Sequence, residues 1–174
     1  MSSTPVGVIG LGLLGGSIAA RLVERGIALI GFDVNSAQCD KARADGIPTA
    51  SSQDEVLASC DVVLLSLPNG AIVDAWLADA IGRLRAGQLL IDTTTAAPEQ
   101  MIAHAELLSP RGVGYVEAEV AGSRRKLGAA RCWCLPAAPS PTWRSVARCS
   151  MRLPPKFIMP GLWETRPVGS SCTI

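Results

Sequence analysis

Short apolar runs alternate with segments of helical spacing over the first 123 residues. Strands are predicted for the apolar runs at residues 6–9, 28–32, 47–50, 61–66, 89–91 and 113–120. Helices are predicted for the segments between them, at residues 17–25, 36–45, 52–58, 71–85 and 98–108. Parallel neighbours need a crossover connection, so strands that alternate with helices are typical of a parallel sheet. The pattern therefore predicts an α/β fold with a doubly wound parallel sheet in residues 1–123.

This alternation ends near Ser123, and the composition of the chain changes at the same place. Residues 1–123 carry seven basic and fourteen acidic residues, whereas residues 124–174 carry nine basic residues and one acidic residue. The second segment also holds seven of the twelve prolines and shows no helical period. We therefore divide the chain into domain 1–123 and tail 124–174, and we expect the tail to be irregular and disordered.

Composition excludes several classes of protein. Of the 174 residues, 48% are apolar and 18% are charged, which suits one domain with a hydrophobic core. No apolar run has the length of a membrane span, and the first residues lack the basic region of a secretory signal, so we expect a cytoplasmic protein. The four tail cysteines match no zinc pattern, and the tail has no histidine, so no metal site is predicted.

The strongest chemical signal is a glycine-rich loop between the first strand and the first helix. Its GxGxxG spacing allows a tight turn, a close approach of the backbone to a pyrophosphate, and close packing of helix and strand. The phosphates then lie at the helix N-terminus, where free N–H groups favour anions. The predicted cofactor-binding residues of this loop are Gly10, Leu11, Gly12, Leu13, Leu14 and Gly15. The context predicts a Rossmann dinucleotide-binding domain.

Asp33 closes the second predicted strand, 21 positions after Gly12. A carboxylate there accepts hydrogen bonds from the hydroxyls of the adenosine ribose and repels the 2′-phosphate of NADP. The residues that follow it, 34–36, include no arginine. The sequence therefore favours NAD over NADP. The alternative is a glycine-rich turn that binds nothing, with Asp33 as a turn residue.

Two more loops follow predicted strands at the edge where ligands bind in such sheets. They are residues 66–69 and residues 92–95, and their hydroxyl and backbone groups suit the nicotinamide half of a dinucleotide. Ordinary turn chemistry explains the same residue types equally well, since Ser, Thr, Asn and Pro all favour turns.

Four motifs in order resemble the β-hydroxyacid dehydrogenases, which include 3-hydroxyisobutyrate dehydrogenase and relatives of 6-phosphogluconate dehydrogenase. They are the loop 10–15, residues 66–68, residues 92–95 with Pro98, and residues 117–123. The resemblance covers residues 5–123 and implies a Rossmann domain followed by a helical domain that completes the active site and the dimer. It places Leu67, Pro68 and Thr95 against the cofactor. It also places Gly122 and Ser123 near the carboxylate of a small hydroxyacid substrate.

The chain departs from the family pattern in its second half. Glu119 stands where the family has proline, and Ala121 stands where it has a substrate-binding serine. The family's catalytic lysine and its asparagine lie on a helix for which residues 124–174 contain no match, so no catalytic residue is assigned. When the codons of residues 159–174 are read in a shifted frame, they permit that helix pattern. We therefore expect a shift of frame after Ser123 and an inactive dehydrogenase-like chain whose oligomerisation is doubtful.

Two other functions remain open from the sequence. The first is a nucleotide-binding protein whose basic tail contacts RNA or a partner, with Trp133 and Trp143 as stacking residues, although we expect no nucleic-acid partner. The second is a reductase that uses His104, the single histidine, as its acid or base. Against this second function, His104 lies inside a predicted helix, where we expect it to face solvent.

Overall fold

The structure is a computed structural model that describes residues 4–118 of the chain. The predictions for tail 124–174 therefore lie outside the described residues. The strands of the described part are β1 (Val6–Ile9), β2 (Leu29–Phe32), β3 (Val62–Leu65), β4 (Leu89–Asp92) and β5 (Gly114–Glu117). Its α-helices are α1 (Leu13–Glu24), α2 (Ser36–Ala44), α3 (Gln53–Ser59), α4 (Gly70–Ala80) and α5 (Pro98–Leu108).

The strands form one parallel sheet in the order β2-β1-β3-β4-β5. At its centre, Val8 of β1 is level with Gly31 of β2 on one side and Leu64 of β3 on the other. The chain leaves β1 toward β2 and leaves β3 toward β4, so the connections diverge between β1 and β3. This is the topological switch point at which open parallel sheets bind ligands. The predicted α/β class and doubly wound sheet are confirmed.

Helices cover both faces of the sheet, and each face has its own hydrophobic core. On one face, Ala19 of α1 and Ala42 of α2 pack in a cluster with Val8. On the other face, α3, α4 and α5 contribute Val56, Leu77, Met101 and other apolar residues to a larger cluster. The central strands are buried on both faces, which explains their continuous apolar sequences.

Three helices begin where the sequence offers a capping side chain. Asn35, Ser52 and Asn69 each accept a hydrogen bond from a backbone N–H in the first turn of α2, α3 and α4. Pro98 begins α5, and proline suits this position because the N–H groups of the first turn have no partner within the helix. The helix 98–108 is confirmed with both of its predicted ends.

The strand predicted at residues 47–50 is reduced to a single bridge between Thr49 and Gly31. Gly31 exchanges backbone hydrogen bonds with Pro48 and Ala50, at 2.9 and 2.8 Å. Because proline has no N–H, it cannot extend the ladder as a donor. Two helix boundaries differ by more than one residue, since α1 begins four residues earlier than predicted and α4 ends at Ala80 rather than at residue 85.

Gln88 closes the edge of the sheet that carries the amino ends of the strands. It is buried immediately before β4, and its amide nitrogen donates to the carbonyl oxygens of Leu57 and Cys60, at 2.7 and 2.8 Å. Its amide oxygen accepts from the N–H of Arg85 at 2.6 Å. The C-terminal end of α3 is thereby joined to the start of β4.

Candidate dinucleotide site

The glycine-rich loop lies at the switch point between β1 and β3. Gly10 has a φ of +92°, and a β-carbon there would overlap the carbonyl oxygen of Ser66, at the end of β3. A β-carbon at Gly15 would overlap the carbonyl oxygen of Gly10. Two of the three motif glycines are therefore required by the fold itself, since they allow β1, α1 and β3 to approach closely.

Gly12 differs from the other two glycines. Its φ of −63° and ψ of −161° suit any residue, and a β-carbon there would meet no atom of the described structure within 4 Å. Within residues 4–118, neither backbone conformation nor packing requires glycine at this position. The space that its missing side chain leaves open lies at the N-terminus of α1.

The N-terminus of α1 is suited to an anion. Gly12 is its N-cap and supplies no side-chain hydrogen bond, and the first turn of α1 contains no acidic residue. The N–H groups at this end have no partner within the helix, and the helix dipole adds positive potential. Leu13 projects into solvent, whereas Leu14 is half-buried. The loop can therefore accept a phosphate through backbone N–H groups.

Asp33 is held next to this loop by two backbone N–H groups. Its Oδ2 accepts from the N–H of Leu11 at 2.7 Å, and its Oδ1 accepts from the N–H of Asn35 at 2.8 Å. The carboxylate is half-buried at the end of β2, and each oxygen keeps a further lone pair for another donor. The structure thus brings together the glycine-rich loop and the acid predicted to accompany it.

The other two predicted loops also meet at this edge of the sheet. The N–H of Leu67 donates to Oγ1 of Thr94 at 3.2 Å, and Oγ1 of Thr93 donates to the carbonyl oxygen of Leu65 at 2.8 Å. Leu67 packs on the larger core, whereas Pro68 and Thr95 are exposed. The predicted substrate residues Gly122 and Ser123 lie outside the described residues.

Beneath these loops lies a buried polar cluster that begins at Asp92, the last residue of β4. Asp92 is 0% exposed. One carboxylate oxygen accepts from the N–H of Thr94 at 2.8 Å, and the other accepts from the hydroxyl of Tyr115 at 2.7 Å. A buried carboxylate needs such donors, because an unpaired charge in the core is strongly destabilising.

His104 extends this cluster to the protein surface. Its Nδ1 lies 3.1 Å from the hydroxyl oxygen of Tyr115, and its Nε2 lies 2.5 Å from Oδ1 of Asp74. The prediction that His104 faces solvent is wrong, since it is 3% exposed. His104 is buried because it lies on the same face of α5 as Met101 and Leu108, which are the other buried residues of that helix. Asp74, on α4, is half-exposed and forms the outer end.

The cluster shifts the acidity of two of its members. Burial and the neighbouring carboxylate of Asp92 raise the pKa of Tyr115 well above its usual range, so its hydroxyl remains a donor. The hydrogen bond from His104 holds the pKa of Asp74 below its usual range. Both shifts favour the protonation states in which the hydrogen bonds form.

Sequence reasoning missed Asp74 and Tyr115 as parts of the site. One signal was available, because His104 has the same three- and four-residue spacings to Met101 and Leu108 as a core residue. The pairing with Asp74 had no signal, since the two residues are 30 positions apart and meet only when α4 and α5 pack together.

Two other kinds of feature are missing from residues 4–118. In this part of the chain, no three His, Cys, Asp or Glu side chains are grouped so that they could hold a metal ion. None of the helices described is both long and apolar enough to cross a membrane.

Comparisons with known proteins agree with this geometry. Residues 5–153 match the family of the NAD binding domain of 6-phosphogluconate dehydrogenase. The mitochondrial 3-hydroxyisobutyrate dehydrogenase of Mus musculus is 34% identical over 133 residues, which cover 75% of this chain and 39% of that protein. The chain spans about two fifths of the length of the curated relatives it matches.

Solved structures extend the likeness to three dimensions. The 3-hydroxyisobutyrate dehydrogenase of Mycobacterium tuberculosis, solved with L-serine, has a TM-score of 0.66 and 29% identity, covering 71% of this chain and 43% of that one. A reductive aminase of Aspergillus terreus with NADPH shares the fold at a TM-score of 0.63 and 21% identity, over 71% and 43% of the two chains. The chain belongs to the β-hydroxyacid dehydrogenase family, in which it matches the N-terminal NAD-binding domain.

Proposed function

We propose that this chain binds NAD through the loop 10–15, with the pyrophosphate at the N-terminus of α1. Gly12 carries the proposal, because it is a glycine that neither conformation nor packing demands. A ligand that approaches the backbone at this point explains why a side chain is missing there. Leu11, Leu13 and Leu14 contribute their backbone groups to the same loop.

We propose that Asp33 selects NAD over NADP. Its carboxylate is fixed by the N–H groups of Leu11 and Asn35, so it cannot swing away from a 2′-phosphate. The same carboxylate oxygens accept hydrogen bonds from the two ribose hydroxyls of NAD. The fold alone does not decide this preference, since a solved relative of the same fold holds NADPH.

The nicotinamide half of the cofactor then lies over β3 and β4. β2 and β4 are three strand spacings apart, or about 14 Å across the sheet, which matches a dinucleotide extended from Asp33 past the loop 10–15. Leu67, Pro68 and Thr95 are the residues proposed to contact it, since their loops follow β3 and β4.

The parent activity that we propose is hydride transfer between the cofactor and a small 3-hydroxyacid. NAD supplies the hydride acceptor, and residues of this chain bind and orient the cofactor. Gly122 and Ser123 are proposed to meet the substrate carboxylate. Because no residue of the tail matches the family's catalytic lysine, we propose that this chain does not turn over a hydroxyacid.

The first experiment replaces Gly12 with valine and titrates NADH against the full chain. We expect the affinity to fall by about tenfold or more, because the side chain fills the space of the pyrophosphate. Gly82→Val is the matched control, since a β-carbon at Gly82 also meets nothing within 4 Å. Unchanged NADH affinity in Gly12→Val would remove the proposed binding mode, provided that thermal melts show a folded protein.

The second experiment compares NAD and NADP in Asp33→Asn. We expect wild type to prefer NAD and the variant to lose about tenfold of that preference, because the repelling charge is gone. Glu106→Gln removes one charge from the exposed face of α5 and should leave the preference unchanged. A wild-type preference for NADP contradicts the role of Asp33.

The third experiment concerns the tail. We propose that the reading frame shifts between Ser123 and Lys126 and that restoring it recovers the helical domain. The nucleotide sequence across codons 120–130 and an NADH-linked assay on both chains test this proposal. Comparable turnover by the unmodified chain would overturn it. The family match covers residues 5–153 and so continues past Ser123. The assay therefore also tests whether the unmodified tail supports the family's activity.

Two further proposals concern the cellular compartment and the oligomeric state of the chain. We propose a cytoplasmic location, for which the free thiols of Cys39 and Cys60 in the core give support, because such thiols persist in reducing compartments. We also propose that the chain does not form the family's dimer. Cell fractionation and sedimentation of the full chain measure the two attributes directly.

A further inference from the structure

Four side chains form a continuous path of hydrogen bonds from the surface to the end of β4. The path, which we name the buried relay, consists of Asp74, His104, Tyr115 and Asp92. It begins at a groove between α4 and α5 that is lined by Asp74, His104 and apolar side chains. Its inner end is completely buried. The buried relay therefore links a half-exposed carboxylate to a fully buried one.

The inner end of the buried relay is bonded to both loops at the edge of the sheet. Asp92 accepts from the N–H of Thr94 at 2.8 Å. Oγ1 of Thr94 in turn accepts from the N–H of Leu67 at 3.2 Å. One carboxylate thus fixes the loop after β4, and that loop fixes the loop after β3.

The central member of the buried relay has a defined direction of donation. The Tyr115 hydroxyl has one proton, and three acceptors are within reach: the Asp92 carboxylate at 2.7 Å, the Met101 sulfur at 3.0 Å and, when Nε2 carries the ring proton, Nδ1 of His104 at 3.1 Å. A carboxylate is the strongest acceptor of the three. Loss of the hydroxyl therefore leaves Asp92 short of one donor and separates it from His104.

We propose that the buried relay is a positioning device for the nicotinamide half of the cofactor site. It holds the loops of Leu67 and Thr95 in place, and it does not touch the adenosine half. This inference rests on the proposed function, because it assumes that NAD extends from Asp33 across the sheet to β4. It predicts that damage to the buried relay weakens binding of a complete dinucleotide and spares binding of its adenosine part.

The experiment titrates NADH and ADP-ribose against the full chain and compares their affinities in wild type and Tyr115→Phe. ADP-ribose retains the adenosine and the pyrophosphate but lacks nicotinamide. We expect Tyr115→Phe to lose about tenfold in NADH affinity, since one hydrogen bond of a charged acceptor is gone, and to keep its affinity for ADP-ribose.

Gln88→Leu is the matched control. Gln88 is also buried and polar, and it also adjoins β4, but its partners lie at the opposite edge of the sheet. A residue that acts only through overall stability changes both ligand affinities together. We therefore expect the ratio of NADH to ADP-ribose affinity to stay at its wild-type value in Gln88→Leu.

A second measurement uses His104, the single histidine of the chain. Its ring signals in an NMR spectrum can be assigned without ambiguity. We expect NADH to shift them in wild type and ADP-ribose to leave them unchanged. If Tyr115→Phe does not fold, Asp74→Ala at the half-exposed end replaces it, with an expected loss of about threefold in NADH affinity alone.

The outcomes separate the inference from the proposed function. If wild type binds neither NADH nor ADP-ribose, the proposed function fails. If wild type binds both and the folded variants keep the wild-type affinity ratio, the positioning role is wrong and the proposed function stands. An affinity ratio that falls in Tyr115→Phe and stays constant in Gln88→Leu supports the inference.

Discussion

β4 has a buried polar residue at each of its ends, and the two are held in different ways. At the amino end, Gln88 bonds to the backbone of Leu57, Cys60 and Arg85. At the carboxyl end, Asp92 bonds to one backbone N–H and to a side chain that continues to the surface. The neutral amide of Gln88 has partners that cannot ionise, whereas one of the two partners of the Asp92 carboxylate, the Tyr115 hydroxyl, is an ionisable group.

The difference separates stabilisation from function within a single strand. Backbone partners belong to the fold, so Gln88 joins α3 to the sheet whatever the ligand. A side-chain partner can move and can bond further groups, so Asp92 is connected through Tyr115 and His104 to the protein surface. Ligands bind at the carboxyl ends of parallel strands, which is where the more adaptable arrangement occurs.

The largest expected effect comes from Gln88→Leu. It leaves the N–H of Arg85 without its acceptor, and it leaves the carbonyl oxygens of Leu57 and Cys60 to the longer hydrogen bonds from the Arg85 guanidinium, at 3.4 and 3.2 Å. We therefore expect the free energy of unfolding to fall by about 2 kcal/mol. Urea denaturation measures this loss. Gln53→Leu is the control, because the half-buried Gln53 donates to the exposed side chain of Asp79, and we expect a change within about 0.5 kcal/mol. Equal losses in the two variants would contradict the stabilising role of Gln88.

A smaller loss of stability is expected for Asp92→Asn. The asparagine oxygen still accepts from Thr94, and its amide donates to Tyr115, whose own proton then turns to His104. Only the charge is lost, so we expect about 1 kcal/mol in the free energy of unfolding. NADH affinity should nevertheless fall more than in Gln88→Leu. Asp61→Asn is the control for the loss of charge, because Asp61 is an exposed acid at the amino edge of the sheet. An equal drop in NADH affinity in Asp61→Asn would contradict the difference between the two ends of β4.

The smallest effect is a pH dependence at the outer end of the buried relay. The hydrogen bond from His104 lowers the pKa of Asp74 from its ordinary value of 3.8. The stabilisation that ionised Asp74 contributes is therefore fully present above pH 3.8, and it is lost as the pH falls through the lowered pKa. We expect the urea midpoint of Asp74→Asn to change less than that of wild type between about pH 6 and about pH 3. An identical change in both proteins would exclude a contribution of Asp74.

The sequence predicts most of the elements because local signals mark their ends. Pro98 and the caps of α2, α3 and α4 are such signals, and apolar runs mark the central strands. The first turn of α1 was missed because glycine has a low helix propensity and the helix begins inside the glycine-rich loop. The strand at residues 47–50 was overestimated because Pro48 limits pairing to one bridge.

The candidate site likewise has one part that the sequence predicts and one part that it does not. The spacing of Gly10 to Asp33 follows from the fold, so the motif could be located from the sequence. The buried relay depends on contacts across the fold, since Tyr115 and Asp92 are 23 positions apart and belong to adjacent strands. No local pattern encodes such a meeting. The burial of His104 has a local signal in its spacing to Met101 and Leu108, but its partners lie on other elements and have none.

Tyr115 is also the single tyrosine of the chain, which makes it an intrinsic optical reporter. Its pKa is raised above the ordinary value of 10.0 while it is buried between α5 and the sheet. In alkaline solution, the unfolded form ionises first, so stability falls as the pH rises above that value. The ultraviolet absorbance of tyrosinate therefore measures how often β5 separates from β4 and exposes the phenol. An alkaline titration followed in real time gives the opening rate of that strand without any added label.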